Sequence, residues 1–242
     1  MTRPRATREA VSAALAPSGL IVRGATILPG DDAPRLASGA AARAVVLIGH
    51  GGGAFFSVFE AWREANPDRT DPLDTWSKAV IAPVAAALGG EAVFPSDPPY
   101  LPFQRWAMAA EGLRPSPLGI LIHPVYGLWH GYRGAILFAG GGFGDPDPSE
   151  PAAHPCDACV EKPCLSACPV SAFTPVGYEV AACRAHLTTA AGRGDCIVSG
   201  CRARGACPVG APYRYGVSQM RFHMAAFAPD AAQAVPAASL RD

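Results

Sequence analysis

The sequence predicts an α/β chain, an α+β sandwich followed by a small loop-rich module, and three observations predict it. Apolar runs of strand length alternate with helix-patterned segments through residues 7–138. All eight cysteines fall within residues 156–207, with none before or after. Glycine (26) and proline (25) are abundant, and both interrupt regular structure, as a loop-rich second part requires. The expected division is a first domain over 1–145, a sulfur module over 146–228 and a tail over 229–242.

Taken in order, residues 7–15 carry Val11, Leu15 and several alanines at helical spacing, and Pro17-Ser18-Gly19 supplies the stop. A strand candidate, 20–22, follows. Residues 44–48 (AVVLI) form a short continuous apolar run, the pattern of a strand buried on both faces. It breaks into Gly49-His50-Gly51-Gly52-Gly53 and then a helix over 54–65, with Phe55, Val58, Phe59 and Trp62 on one stripe. Strand, glycine loop and helix expose backbone amides beside a helix N-terminus, a geometry that either cradles an anion or simply makes a tight turn. The Lys-Ser/Thr of a P-loop and the full dinucleotide-binding spacing are both missing. His50 in that loop is either a ligand contact or an ordinary surface histidine.

Asp71-Pro72 opens a helix that runs to Gly89-Gly90, with a capping-type residue and a proline in its first turn. A strand over 92–94, a helix over 104–111 ending at Gly112, and strands over 119–122 and 132–138 complete the first domain. The two last strands flank a loop rich in aromatic and histidine residues, 123–131. Gly140-Gly141-Gly142 and the Asp/Pro/Ser run 145–155 read as a linker. Beyond the cysteines, 213–227 ends in an apolar stretch that packs back on the body, and the chain frays from Pro229.

Lys plus Arg equals Asp plus Glu at 20 each, so no net field draws the protein to nucleic acid or to an anionic membrane. No apolar run reaches the roughly 18 residues of a membrane helix, and the polar start does not resemble a signal peptide. The expectation is a soluble cytoplasmic protein with no nucleic-acid partner. Thiols in a reducing compartment serve metals better than disulfides.

The cysteines read Cys156-x2-Cys159-x4-Cys164-x3-Cys168-Pro169, a lone Cys183, then Cys196-x4-Cys201-x5-Cys207-Pro208. Two four-iron clusters need eight thiolates, and in two-cluster ferredoxins three close cysteines wrap one cube while the fourth, followed by proline, ligates the other. By that pattern Cys156, Cys159, Cys164 and Cys207 hold one [4Fe-4S] cluster, and Cys168, Cys183, Cys196 and Cys201 the second. Structural zinc and disulfides are the alternatives. Neither gives a lone Cys183 a partner as readily, nor explains why both motifs finish in Cys-Pro.

Ile122-His123-Pro124-Val125-Tyr126-Gly127-Leu128-Trp129-His130-Gly131-Tyr132-Arg133-Gly134 resembles the histidine-proline, aromatic, glycine, tryptophan and arginine-glycine stretch of the CblC-type cobalamin-processing proteins. It is also similar to the matching strand-loop-strand of epoxyqueuosine reductase. The Pro-Ser-Gly-Leu start, Thr70-Asp71-Pro72 and the Gln104 helix follow in the same order. The second half resembles epoxyqueuosine reductase and the reductive dehalogenases, with Ala182-Cys183-Arg184-Ala185-His186-Leu187-Thr188 similar to their lone-cysteine stretch. The resemblance implies a nitroreductase-like first domain that binds cobalamin, followed by a two-cluster ferredoxin-like module. The "AGLGWxGK" segment of the epoxyqueuosine reductases is replaced here by residues 109–119.

A corrin ring is a broad apolar plate with an amide rim, so aromatic side chains and a few directed hydrogen bonds suit it. The candidate contacts are His123, Tyr126, Trp129, Tyr132, Arg133 and Gln104. Each has a bland alternative: Trp129 as core packing, His123 as a turn histidine, Arg133 as an ion-pair partner. No carboxylate pair or nucleophile-base set stands out, so no general acid is assigned. The expected function is an iron-sulfur corrinoid protein that takes electrons from an external donor and reduces cobalamin, for removal of its upper ligand or for chemistry on a small substrate. A ferredoxin-like carrier, a cobalamin chaperone and an FMN-binding reductase are the other readings.

Overall fold

The computed structural model describes residues 6–30, 33–140, 143 and 153–235. They divide into two compact units, Met1–Leu113 with His130–Ala152, and Arg114–Trp129 with Ala153–Asp242. The sequence predicts residues 114–129 in the first domain, whereas the structure packs them with the cysteine segment. The reason is the close backbone approach at Gly127 described below. The expected boundary at 145 and most of the expected linker lie outside the described residues.

The first unit begins with α1 (Arg8–Leu15), capped by Thr7, whose Oγ1 accepts the Ala10 N–H at 3.1 Å. Next come β1 (Ile21–Ile27), β2 (Ala44–Gly51), α2 (Phe56–Ala65), α3 (Pro72–Leu88), β3 (Glu91–Val93) and α4 (Phe103–Glu111). β4 (Arg114–Pro115) and β5 (Leu121–Ile122) belong to the other unit, and β6 (His130–Phe138) returns to the first. At the start of α3, Asp71 takes a left-handed backbone with φ 45° and makes no side-chain cap.

Four strands form one sheet in the order β1-β2-β6-β3, every pair antiparallel. Val45, Val46, Leu47 and Ile48 of β2 are all fully buried, so this central strand is covered on both faces. The two coverings are identified by glycines that let helices come close. A Cβ at Gly24 would meet Ala110 and Glu111 of α4 at 3.0 Å, and one at Gly134 would meet Ile81 of α3 at 2.8 Å. Gly24 pairs with Leu47 and Gly134 with Ile48. Successive strand residues face opposite ways, so α4 and α3 cover opposite faces of the sheet. Phe55, Phe59 and Trp76 pack together with ring centroids 5.7 Å apart along both edges to the indole. The unit is thus a mixed α/β sandwich around an antiparallel sheet.

The second unit has little sheet: the β4/β5 pair and a hairpin of β7 (Phe173–Thr174) with β8 (Gly177–Tyr178). Short helices carry the rest: α5 (Pro163–Ser166), α6 (Val180–Leu187), α7 (Ala190–Gly192), α8 (Arg202–Gly205), α9 (Val217–Phe227) and α10 (Pro229–Gln233). The fraying expected from Pro229 does not occur at its start. Residues 229–233 are helical, and Ala231 and Val235 are buried against Leu187, Cys196 and Ile197. No helix among the described residues is long and apolar enough to cross a membrane.

Candidate functional site

The glycine run after β2 is not the open loop that its composition suggests. Gly49, His50 and Gly51 are still strand, paired with Tyr132, Gly131 and His130 of β6. His50 is buried rather than on the surface, with its Nδ1 3.0 Å from Gly52 O and its ring centroid 4.3 Å from that of Phe55.

The same strand ends carry a buried polar network that no motif announced. Arg23 on β1 has a side chain only 1% exposed and donates to Glu111 Oε2 at 2.9 Å. It also donates to His50 O at 3.0 Å and lies 3.1 Å from His130 Nδ1. The Tyr132 hydroxyl donates to Glu111 Oε1 at 2.5 Å, and the Arg23 guanidinium stands 5.0 Å over the tyrosine ring. Burial holds the Glu111 carboxyl above the usual range, against the pull of Arg23 and Tyr132. The Tyr132 phenol is pushed up by burial and then by the charge of Glu111. Arg23 and Glu111 are 88 residues apart, so sequence pattern alone had no signal for them.

In the second unit the eight cysteines fall into two sets of four. Cys156, Cys159, Cys164 and Cys207 line one cavity of about 20 Å³, with Ile122, Leu128 and Val209 in the wall. Cys168, Cys183, Cys196 and Cys201 line another of about 240 Å³, with Phe173, Tyr178, His186, Leu187 and Phe227. The members of each set feel one another electrostatically. Burial, then repulsion from Cys207, Cys164 and Cys159, holds the Cys156 thiol above its ordinary range. Burial, then Asp195, Cys201 and Cys183, pushes the Cys196 thiol up to about 11. Cys164 and Cys201 are raised first by burial in the same way.

Backbone amides oppose that shift. Backbone N–H groups next to Cys164, Cys196 and Cys201 favour the thiolate at each. Ala172 N–H reaches Cys168 Sγ at 3.3 Å. Lys162, at φ 42°, ties the first loop by donating to Cys156 O and Cys159 O at 3.1 Å each. Among the described residues no three His, Cys, Asp or Glu side chains converge closely enough to hold a single metal ion.

The segment 114–129 is fastened to the cysteine loop by backbone. Gly127 has φ 57°, and a Cβ on it would lie 1.9 Å from Val209 O, two residues past Cys207. Only glycine permits both the conformation and the approach. Arg204 adds to the lock, its Nε donating to Leu128 O at 3.1 Å while its guanidinium lies 4.7 Å from the Trp129 ring and 4.6 Å from that of Tyr215.

The six expected corrin contacts are divided between the units: His123, Tyr126 and Trp129 in the second, Gln104, Tyr132 and Arg133 in the first. His123 holds its own turn, its Nδ1 accepting the N–H groups of Val125 at 3.0 Å and Tyr126 at 3.1 Å. Tyr126 stacks on His123 and meets Tyr213 edge-on. Tyr132 belongs to the Glu111 network, Arg133 lies 3.6 Å from Asp74, and Gln104 is exposed on α4. Trp129 is buried, yet it lines a cleft of about 630 Å³ whose wall also includes Cys201, Ser199, Arg202, Arg214 and Met220. The chain matches no known protein-family model and no curated protein.

Proposed function

We propose that the second unit is a two-cluster electron carrier and that the protein uses it to reduce a bound corrinoid. The observation that carries the first half is the sorting of eight cysteines into two sets, each lining its own cavity. A [4Fe-4S] cube takes one cysteine on each of its irons, and each cavity is lined by four. A cationic core, when bound, would keep these buried thiols ionised against the effect of burial. The amides on Cys164, Cys168, Cys196 and Cys201 then hold that negative charge. When bound, such clusters supply single electrons at potentials set by charge, burial and hydrogen bonds to sulfur.

The corrinoid half rests on the resemblance of residues 122–134 and 182–188 and on the cleft that joins Trp129 to Cys201. The cleft has the size of small-molecule sites and mixes an indole with arginines and a serine, a lining suited to a flat ring with a polar rim. A molecule seated there lies beside a cysteine of the second set. Were clusters held by the two cysteine sets and a corrinoid seated beside Trp129 and Cys201, the clusters would supply it with single electrons drawn from an external donor.

The test is anaerobic reconstitution with iron and sulfide, then titration with cobalamin. The expected result is a broad thiolate-to-iron absorbance, a changed corrin spectrum on mixing, and weaker corrin binding in Trp129→Ala with the iron content unchanged. Cys207→Ser and Cys201→Ser should each degrade one cluster and spare the other. An unaltered corrin spectrum sinks the corrinoid half, and failure to take up iron sinks both.

A further inference from the structure

One buried polar atom beside the second cysteine set has nothing to bind. His186 lines the same cavity as Cys168, Cys183, Cys196 and Cys201. Its Nε2 is sealed from solvent and finds no hydrogen-bond partner among the described residues. A buried N–H left unpaired costs about 1–3 kcal/mol, so such atoms normally have a partner. Much of the lining cannot supply one, since Leu118, Ile120, Val170, Phe173, Leu187 and Phe227 are apolar; the acceptors it offers are the four sulfurs and the Tyr178 hydroxyl, which is itself engaged with Cys183.

The backbone around His186 is held in place. The residue occupies the last turn of α6, three residues after Cys183, and side chains three apart on a helix share a face. Its carbonyl accepts the Thr189 N–H at 2.9 Å and the Thr189 hydroxyl at 2.7 Å. Gly192 packs so closely that a Cβ there would lie 2.1 Å from His186 O. The ring is therefore carried on a fixed base next to a cysteine of the set.

Building on the cluster reading of that set, we propose that His186 is a positioning and tuning residue whose Nε2–H donates a hydrogen bond to a sulfur of the second cluster. Reduction adds one electron to the cluster from a low-potential donor such as dithionite, breaks no bond and leaves the proton on Nε2. The added negative charge strengthens a hydrogen bond to sulfur, so the bond favours the reduced form and raises the potential. The bond thereby makes the second cluster a better electron acceptor than it would be without it.

The experiment starts from the reconstituted full chain, whose iron content and visible spectrum are recorded first, so that absence of clusters is read as failure of the cluster proposal alone. Redox titration followed by electron paramagnetic resonance is then run on wild type, His186→Leu and His186→Gln. In His186→Leu the reduced-to-oxidised ratio of the second cluster at a fixed poise should fall about tenfold, a shift of about 59 mV for one electron, while the first cluster does not move. His186→Gln, which keeps an N–H at the same reach, should recover most of the shift. Equal potentials in all three proteins, or equal shifts in both variants, would overturn the proposal. Should His186→Leu lose its cluster, the decision passes to wild type enriched in ¹⁵N-histidine. An electron-nuclear double resonance coupling from that nitrogen in the reduced protein, absent in His186→Gln, upholds the bond, and its absence in wild type overturns it.

Discussion

The two units solve the problem of a core in different ways. The first encloses β2 between α3 and α4, and its interior is made of Val45, Val46, Leu47, Ile48, Phe55, Phe59 and Trp76, ordinary apolar side chains buried by the hydrophobic effect. The second has two small cores with thiols among their members. One holds Cys164 and Cys207 with Ile122 and Leu128, the other Cys196 with Leu187, Ile197 and Ala228. Removing apolar surface from water suffices for the first. The second is built from short helices and two-residue strands, so on the proposed cluster reading it leans also on what the thiols bind.

The largest expected consequence is on metal removal. Stripping iron with a chelator under reducing conditions should open the second unit to proteases while leaving most of the first resistant, as read by limited proteolysis and mass spectrometry. Equal resistance of both would break the contrast. Next comes Phe59→Ala, which removes a fully buried ring and should cost about 3–5 kcal/mol. Denaturation followed by tryptophan fluorescence should weaken, whereas cluster absorbance in native buffer should be unchanged; joint loss of both signals would make the two units one cooperative block.

Gly127→Ala sharpens the comparison from the other side. The new methyl would meet Val209 O and force a strained backbone, at about 1–3 kcal/mol. Because Val209 follows Cys207 and Pro208, iron counting and electron paramagnetic resonance should show the first cluster degraded and the second retained. Loss of the second alone would contradict the lock between residues 114–129 and the Cys207 loop. The smallest effect concerns Glu111. Its carboxyl ionises at about 4.5 when unfolded and higher when folded, because burial outweighs Arg23. Between those two points the folded chain keeps a proton that the unfolded chain has lost, so stability falls as pH rises through that window and levels off above it. Urea titrations at a series of mildly acidic pH values should show the slope in wild type and its loss in Glu111→Gln.

Much of the first unit could be read from pattern. The run AVVLI is long enough only for a strand and apolar at every position, which requires cover on both faces, and the helices over 8–15, 72–88 and 103–111 end at glycines or start at a capping threonine or a proline. In the GHGGG stretch the strand runs on through Gly51 because β6 pairs with residues 49–51, and the turn that the glycines signal begins only at Gly52. The two groups of four read from the cysteine spacing are also the groups that line the two cavities; Cys156, Cys159 and Cys164 are close in the chain, whereas Cys168 and Cys183 meet Cys196 and Cys201 only in the fold.

What the sequence determined by itself are the features that depend on neighbours within a few residues: the periodicity of strands and helices, their stops, and the local clustering of thiols. Only the tertiary structure decided which unit owns residues 114–129, since that rests on the contact of Gly127 with Val209, far away along the chain. It alone paired Arg23 with Glu111 and Tyr132, and it alone left His186 Nε2 buried without a partner among the described residues. Each of these is a matter of which atoms meet after folding, and burial then gives them their energy, because a polar group removed from water must find its partner inside the protein.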